Sequence, residues 1–287
     1  MKKIILIVLF LSGFYSVKAQ DRPLSQKMAA TAMKLWKDST AKWAYEQGVV
    51  LRGVEEVWLQ TGDKKYFTYI QHYIDALVAN DGTIKNYKID DYSLDNILCG
   101  RDLLMLYKIT KVEKYYKALV QLRRQLKDQP RIPEGGFWHK KRYPSQLWLD
   151  GLYMGSTFYA DYAATFYEDT DVDDIANQFI LVEQQPRDPK IGLLYHAWDE
   201  SHKERWSDPK TGLSPNFWAR ADGWYAMALV DVLDYLPADH PKHAELIAIL
   251  NWLAAAIEKY QDPKSGAWYE VMDKAAEKGN YLEASAS

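Results

Sequence analysis

A carboxylate stands at position 150 inside YPSQLWLDGLYMGSTFYADYA (143–163), a stretch rich in aromatic, apolar and small residues. The apolar spacing predicts a helix over 145–168 with Asp150 in its second turn, one turn from Met154 and near Trp148 and Tyr153. A carboxyl at such an aromatic rim loses solvation of its charged form. Its pKa rises, and it becomes a proton donor near neutral pH. The same residue could instead cap or salt-bridge a neighbouring loop, and spacing alone leaves the two readings even. Asp95 follows Asp90 and Asp91 at the start of another helix, where an N-terminal cap or first-turn charge is the simpler explanation. Its functional reading requires it to face Asp150 across a cleft, as a carboxylate pair of the kind used in sugar chemistry.

Other chemistry-bearing residues lie in loops rich in Gly, Pro, Trp and His. His139 (GGFWHK) and His196 (YHAWDE) sit in aromatic surroundings without the close grouping of ligands that a metal requires, and no HExxH spacing occurs. They suit polar contacts to a sugar or carboxylate, or a structural loop role. FWARADGWYAM (217–227) sets Trp218, Arg220 and Trp224 around a helix start. Indole faces and a guanidinium fork fit a flat ring bearing a carboxylate, with an ion pair from Arg220 to Asp222 or a neighbour as the alternative. Serine elbows, P-loops and dinucleotide fingerprints are absent, which removes several common enzyme classes and leaves carbohydrate as the ligand that aromatic loops favour.

The elements that must position these groups are helices. Apolar periodicity predicts them over 24–37, 42–61, 64–79, 94–109, 112–127, 145–168, 172–184, 221–235 and 242–260, with no convincing run of alternating strands. A loose repeat, VWLQTGDKKYF (57–67), LYKITKVEKYY (106–116) and TFYEDTDVDDI (165–175), ends one helix near a threonine and starts the next within a few residues. Such short turns make antiparallel hairpins arrayed side by side. The class is all-helical, in one large domain.

Lys2 and Lys3 before the apolar run Ile4–Leu11, and Val17-Lys18-Ala19 after it, read as a signal peptide cleaved after Ala19. The run is too short for a membrane span, and no cysteine near the cut offers a lipid anchor. The chain is expected to be exported to the periplasm or medium. Loss of Lys2, Lys3 and Lys18 takes the basic residues from 36 to 33 against 39 acidic ones, a mature charge of about −6 that argues against nucleic acid. Cys99 is the only cysteine, so no internal disulfide framework forms.

DNILCGRDLLMLYKIT, GGFWHKKRYPSQLWLDGLYMGSTFYADYA, YHAWDE, WARADGWYAMALVDVL and GNYLEASAS resemble, in order, the signature stretches of the unsaturated rhamnogalacturonyl hydrolases, glycoside hydrolase family 105. The resemblance implies an (α/α)6 barrel. It also implies hydration of the C4=C5 double bond on the non-reducing-end uronic acid left by a polysaccharide lyase, after which the sugar opens and releases its neighbour, commonly rhamnose. By that similarity Asp150 is the general acid and base, and Asp95 the second aspartate. His139, Trp148, Met154, His196, Trp218, Arg220 and Trp224 line the pocket, and Trp43 or Tyr45 closes it. The partner is an unsaturated oligosaccharide, and neither metal nor organic cofactor is needed. Other lyase products, such as those from ulvan or glycosaminoglycan, an ordinary two-carboxylate glycosidase or a lyase on the same barrel, and a non-catalytic sugar-binding protein are the competing readings. Family members continue with further apolar helix beyond GNYLEASAS, so the resemblance implies a barrel lacking its last helices here.

Overall fold

The computed structural model describes residues 22–283, so the leader read at 1–19 lies outside the described residues. The principal helices are α1 (Leu24–Leu35), α2 (Tyr45–Thr61), α3 (Lys64–Asp75), α4 (Gly100–Thr110), α5 (Glu113–Asp128), the short α6 (Leu149–Gly151), α7 (Thr157–Phe166), α8 (Val172–Gln184), α9 (Ala219–Leu233) and α10 (His243–Lys259). Four hairpins follow: α2 with α3, α4 with α5, α7 with α8, and α9 with α10.

Burial sorts these helices into two layers. Every residue from Gly100 to Leu106 of α4, and from Thr157 to Ala163 of α7, is buried, as expected of helices surrounded by protein. By contrast, α5 buries Tyr115, Ala118, Leu119, Leu122 and Leu126, a single stripe at helical spacing, and leaves its other face to water. Neighbouring inner helices touch in the order α2, α4, α7, α9, with α3, α5, α8 and α10 packed outside them. This is the layout of an (α/α) barrel.

The repeat seen in the sequence is a repeat in structure. α2, α4 and α7 each end on a left-handed residue, Gly62 (φ 66°), Lys111 (φ 56°) and Tyr167 (φ 61°). Just before it, Thr61, Thr110 and Thr165 each donate a hydroxyl hydrogen bond to the carbonyl four residues back. Glycine meets that conformation without strain at position 62, and the Asp63 carboxylate then accepts from Lys65 N (3.1 Å) to begin α3.

Inner and outer helices run antiparallel, so the inner helices all begin at the same end of the barrel, and the long loops gather there. One expectation changes at this end. Residues 146–148 form a strand, β1 (Gln146–Trp148), paired antiparallel with β2 (Ala197–Asp199) in the register Trp148↔Ala197. Asp150 therefore stands in the first helical turn rather than the second. A second small ribbon pairs β3 (Trp268–Tyr269) with β4 (Leu282–Glu283).

Candidate active site

Each polar residue singled out in the sequence near a helix start is found at the N-terminal end of an inner helix. Tyr45 is the first residue of α2, Asp150 the second of α6, and Arg220 the second of α9. Asp95 lies in a 3-10 turn (Leu94–Ile97) leading into α4. The turn Leu152–Ser156 that joins α6 to α7 is π-helical, a local widening that shifts the phase of the residues before it, including Asp150.

Asp95 does not cap its helix, since no side-chain cap bond forms there. Its carboxylate instead takes two cationic or donor groups from the 139–140 loop: His139 Nε2 lies 3.2 Å from Oδ1, and Lys140 Nζ pairs with Oδ2. Burial would raise the Asp95 pKa, but the His139 hydrogen bond and the charges of His139 and Lys140 outweigh it and bring it to about 2. Asp95 is thus ionised at every working pH.

Asp150 is driven the other way. Burial raises its carboxyl above the usual range against the lowering influence of His139 and His196, and the negative Asp95 adds to the rise. Its Oδ2 is buried without a hydrogen-bond partner, as is Nδ1 of His139. Gly151 keeps these neighbours close, because a β-carbon there would stand 3.2 Å from His139 Nδ1. His139 is therefore the group between the two carboxyls, bonded to one and electrostatically coupled to the other.

The aromatic residues pack on one another beside His139. Tyr143, Trp148 and His139 stack as three near-parallel rings, 5.1 Å and 4.6 Å apart at interplanar angles of 13° and 10°. His196 meets Trp148 edge-on at 5.2 Å and Trp218 at 5.5 Å. The β1–β2 pairing sets this arrangement, with Leu149 N donating to the His196 carbonyl (3.1 Å). Burial first, and the charge of His139 second, lower the His196 pKa, against the raising influence of Asp150.

Arg220 packs over the Trp218 ring at 5.1 Å, and its Nη2 binds both oxygens of Glu283 at 3.1 and 2.9 Å. Its ion-pair partner is therefore Glu283 in β4 and not Asp222, which is fully buried and accepts from Leu194 N (3.3 Å). Arg220 Nε is buried and unpartnered.

A cleft of about 550 Å³ opens beside Asp95, lined among others by Trp43, Tyr45, Asn96, Lys140, Lys141 and Arg142. Trp43 is fixed by its indole N–H donating to the Asn96 carbonyl (2.8 Å). Tyr45 links cleft and carboxyls: its phenol is raised by burial, then by the charges of Glu46, Asp95 and Asp150, with Arg220 acting oppositely. Of the residues expected at the site, Trp43, Tyr45 and Asp95 line this cleft, whereas His139, Trp148, Asp150, Met154, His196, Trp218, Arg220 and Trp224 do not. Met154 is in the main core, and Trp224 stacks on Tyr153 at 4.8 Å. Lys140, Tyr143 and Glu283 escaped sequence reasoning, since a lysine in KKR, a loop tyrosine and a distant glutamate carry no local pattern.

The family model of Glycosyl Hydrolase Family 88 matches residues 15–287. A family 105 glycoside hydrolase from C. acetobutylicum superposes with a TM-score of 0.90 and 48% identity, covering 93% of this chain and 74% of that one. The unsaturated rhamnogalacturonyl hydrolase YesR of Bacillus subtilis is 28% identical over 251 residues, 85% of this chain and 68% of that protein. The unsaturated glucuronyl hydrolase of Bacillus sp. GL1 shares the fold, with a TM-score of 0.68 at 15% identity, over 91% of this chain and 72% of that one. With its helical barrel, the chain belongs to the glycosyl hydrolases of families 88 and 105.

Proposed function

We propose that this hydrolase hydrates the C4=C5 double bond of the unsaturated galacturonyl residue at the non-reducing end of rhamnogalacturonan oligosaccharides. Asp150, protonated, donates its proton to C4 while a water oxygen bonds to C5, and the resulting Asp150 carboxylate takes the proton that the water gives up. The product bears H on C4 and OH on C5, a hemiketal that opens and releases the neighbouring sugar. One carboxyl serves both halves because its burial and the adjacent negative charge make the protonated form accessible. The observation that carries the reading is the contrast between Asp150 and the ionised Asp95, joined through His139.

In this reading the Trp148, His139, His196 and Trp218 rings enclose the uronate ring, the Arg220 guanidinium edge not taken by Glu283 donates to its carboxylate, and Trp43 and Tyr45 border the exit towards the next sugar. Met154 and Trp224 support the floor from the core. The rhamnogalacturonan assignment draws on the similarity to YesR. Export through the leader at 1–19 belongs to the same proposal, as does a single catalytic domain from residue 20.

The test is loss of ultraviolet absorbance of the conjugated alkene, with unsaturated rhamnogalacturonan disaccharide as substrate and Asp150→Asn as control. Decay with the parent protein and a rate about 10²–10⁴-fold lower in a folded Asp150→Asn variant is expected. Preference for a disaccharide derived from ulvan or glycosaminoglycan would sink the substrate assignment. Equal rates for parent and variant would remove Asp150 from the mechanism.

A further inference from the structure

A groove of about 960 Å³ runs along α5, beside α7 and the link from α7 to α8, and shares no lining residue with the cleft at Asp95. Its charges divide into two sets. Arg123 is held by Glu168 (2.7 Å) and Asp171, and Arg131 grips Asp174 through two bonds of 2.7 Å. These two arginines engage three carboxylates, Glu168, Asp171 and Asp174, so this set keeps one net negative charge. Arg124 is left with 74% of its side chain exposed and only Asp128 at 3.8 Å, and Lys127 has no carboxylate partner among the described residues. Four cations thus face the three lining carboxylates and Asp128, and the two that a ligand can reach without breaking a close ion pair are Arg124 and Lys127.

Tyrosines stand beside them. Tyr159 and Tyr162 of α7 are buried beneath it, whereas Tyr116, 40% exposed and packed against Tyr107 and Phe166, lies on the same stripe of α5 as Arg124 and Lys127, at spacings of two turns and one. Tyr167 is 85% exposed and takes the left-handed position that ends α7 (φ 61°). That position favours glycine, and a bulky aromatic there costs free energy without any packing to offset it. Exposed rings with polar tips suit the C–H faces and hydroxyls of sugars, and the adjacent cations suit carboxylates.

We propose that this groove is a second saccharide site, separate from the cleft, which holds an internal stretch of a uronate-bearing glycan by stacking on Tyr116 and Tyr167 and pairing with Arg124 and Lys127. The choice of uronate over neutral sugar rests on the function proposed above; the stacking platform does not.

The experiment is native electrophoresis through gels containing saturated rhamnogalacturonan, which lacks the unsaturated end, or dextran as the neutral comparison. The chain carries a formal charge of −3, so a polyanion does not retard it by bulk attraction. Retardation by rhamnogalacturonan and not dextran is expected. The triple variant Tyr167→Ala, Arg124→Ala, Lys127→Ala should weaken it about five-fold or more, with turnover of the unsaturated disaccharide unchanged as proof of fold. No retardation of the parent, or equal retardation of parent and variant, overturns the proposal. Turnover without retardation refutes the groove alone, whereas retardation without turnover refutes the proposed reaction and leaves the groove as an acidic-glycan site.

Discussion

Asp150 and Asp95 carry the same functional group, and their neighbours move them in opposite directions. Asp95 drops from an ordinary value near 3.9 to about 2, which corresponds to roughly 2–3 kcal/mol of stability, present above the unfolded value and lost as pH falls through about 2. Urea unfolding of Asp95→Asn should show a deficit at pH 7 that closes on acidification; a deficit independent of pH would assign the loss to packing. Asp150 is raised, so its contribution is complete below the unfolded value and is lost as pH rises through the folded one. Asp150→Asn should therefore gain stability relative to the parent as pH rises above the unfolded value, read by the same method. His139 lowers both carboxyls, so His139→Gln is expected to move the alkaline limb of kcat/KM upward. A limb that moves down would place His139 outside the electrostatics of Asp150. The aromatic context of Asp150 was legible in the sequence, because WLDGLYM states it locally. The Asp95 pair with Lys140 was not, since 45 residues separate them and only the loop path joins them.

At the level of elements, two glycines next to inner-helix starts separate fold from chemistry. A β-carbon on Gly100 would stand 2.6 Å from the buried Phe158 ring and 2.8 Å from Leu122, so Gly100→Ala should cost about 1–3 kcal/mol through overpacking. On Gly151 it would meet the tip of Leu94, which can turn aside, and His139 Nδ1 at 3.2 Å. Gly151→Ala is thus expected to lower kcat several-fold with a smaller change in melting temperature than Gly100→Ala. The reverse ranking would show that His139 tolerates displacement. Helical periodicity disclosed the hairpins because each outer helix repeats its apolar stripe every turn or so. It could not disclose β1, three residues long, whose pairing depends on Ala197–Asp199 far along the chain.

Across the whole molecule, inner helices are tied by charge as well as by packing. Arg101 in α4, 5% exposed, binds Asp231 in α9 at 2.5 Å. It lies close to Asp102, whose carboxyl is fully buried without a hydrogen-bond partner and is pushed well above the usual range by burial. Removing the guanidinium leaves Asp231 without its partner, so Arg101→Ala should cost about 3–5 kcal/mol in denaturant unfolding. A loss below about 1 kcal/mol would mean that water reaches the barrel axis. Neither acid could be recognised as axial from sequence, where RD in GRDLLML reads as an ordinary exposed pair.

Glu283 of β4 clasps Arg220 across 63 residues of chain, while Tyr45, early in the chain, lies within electrostatic reach of Arg220. A chain leaving the ribosome, or threading through an export channel, presents the second of these long before the first exists. Sites stitched from segments far apart in a polypeptide are completed by long loop closures, which are slow to form. Catalytic competence is therefore a clock for the last step of maturation: after dilution from denaturant, turnover should return no earlier than the slowest phase of tryptophan fluorescence, and helix content should return well before either.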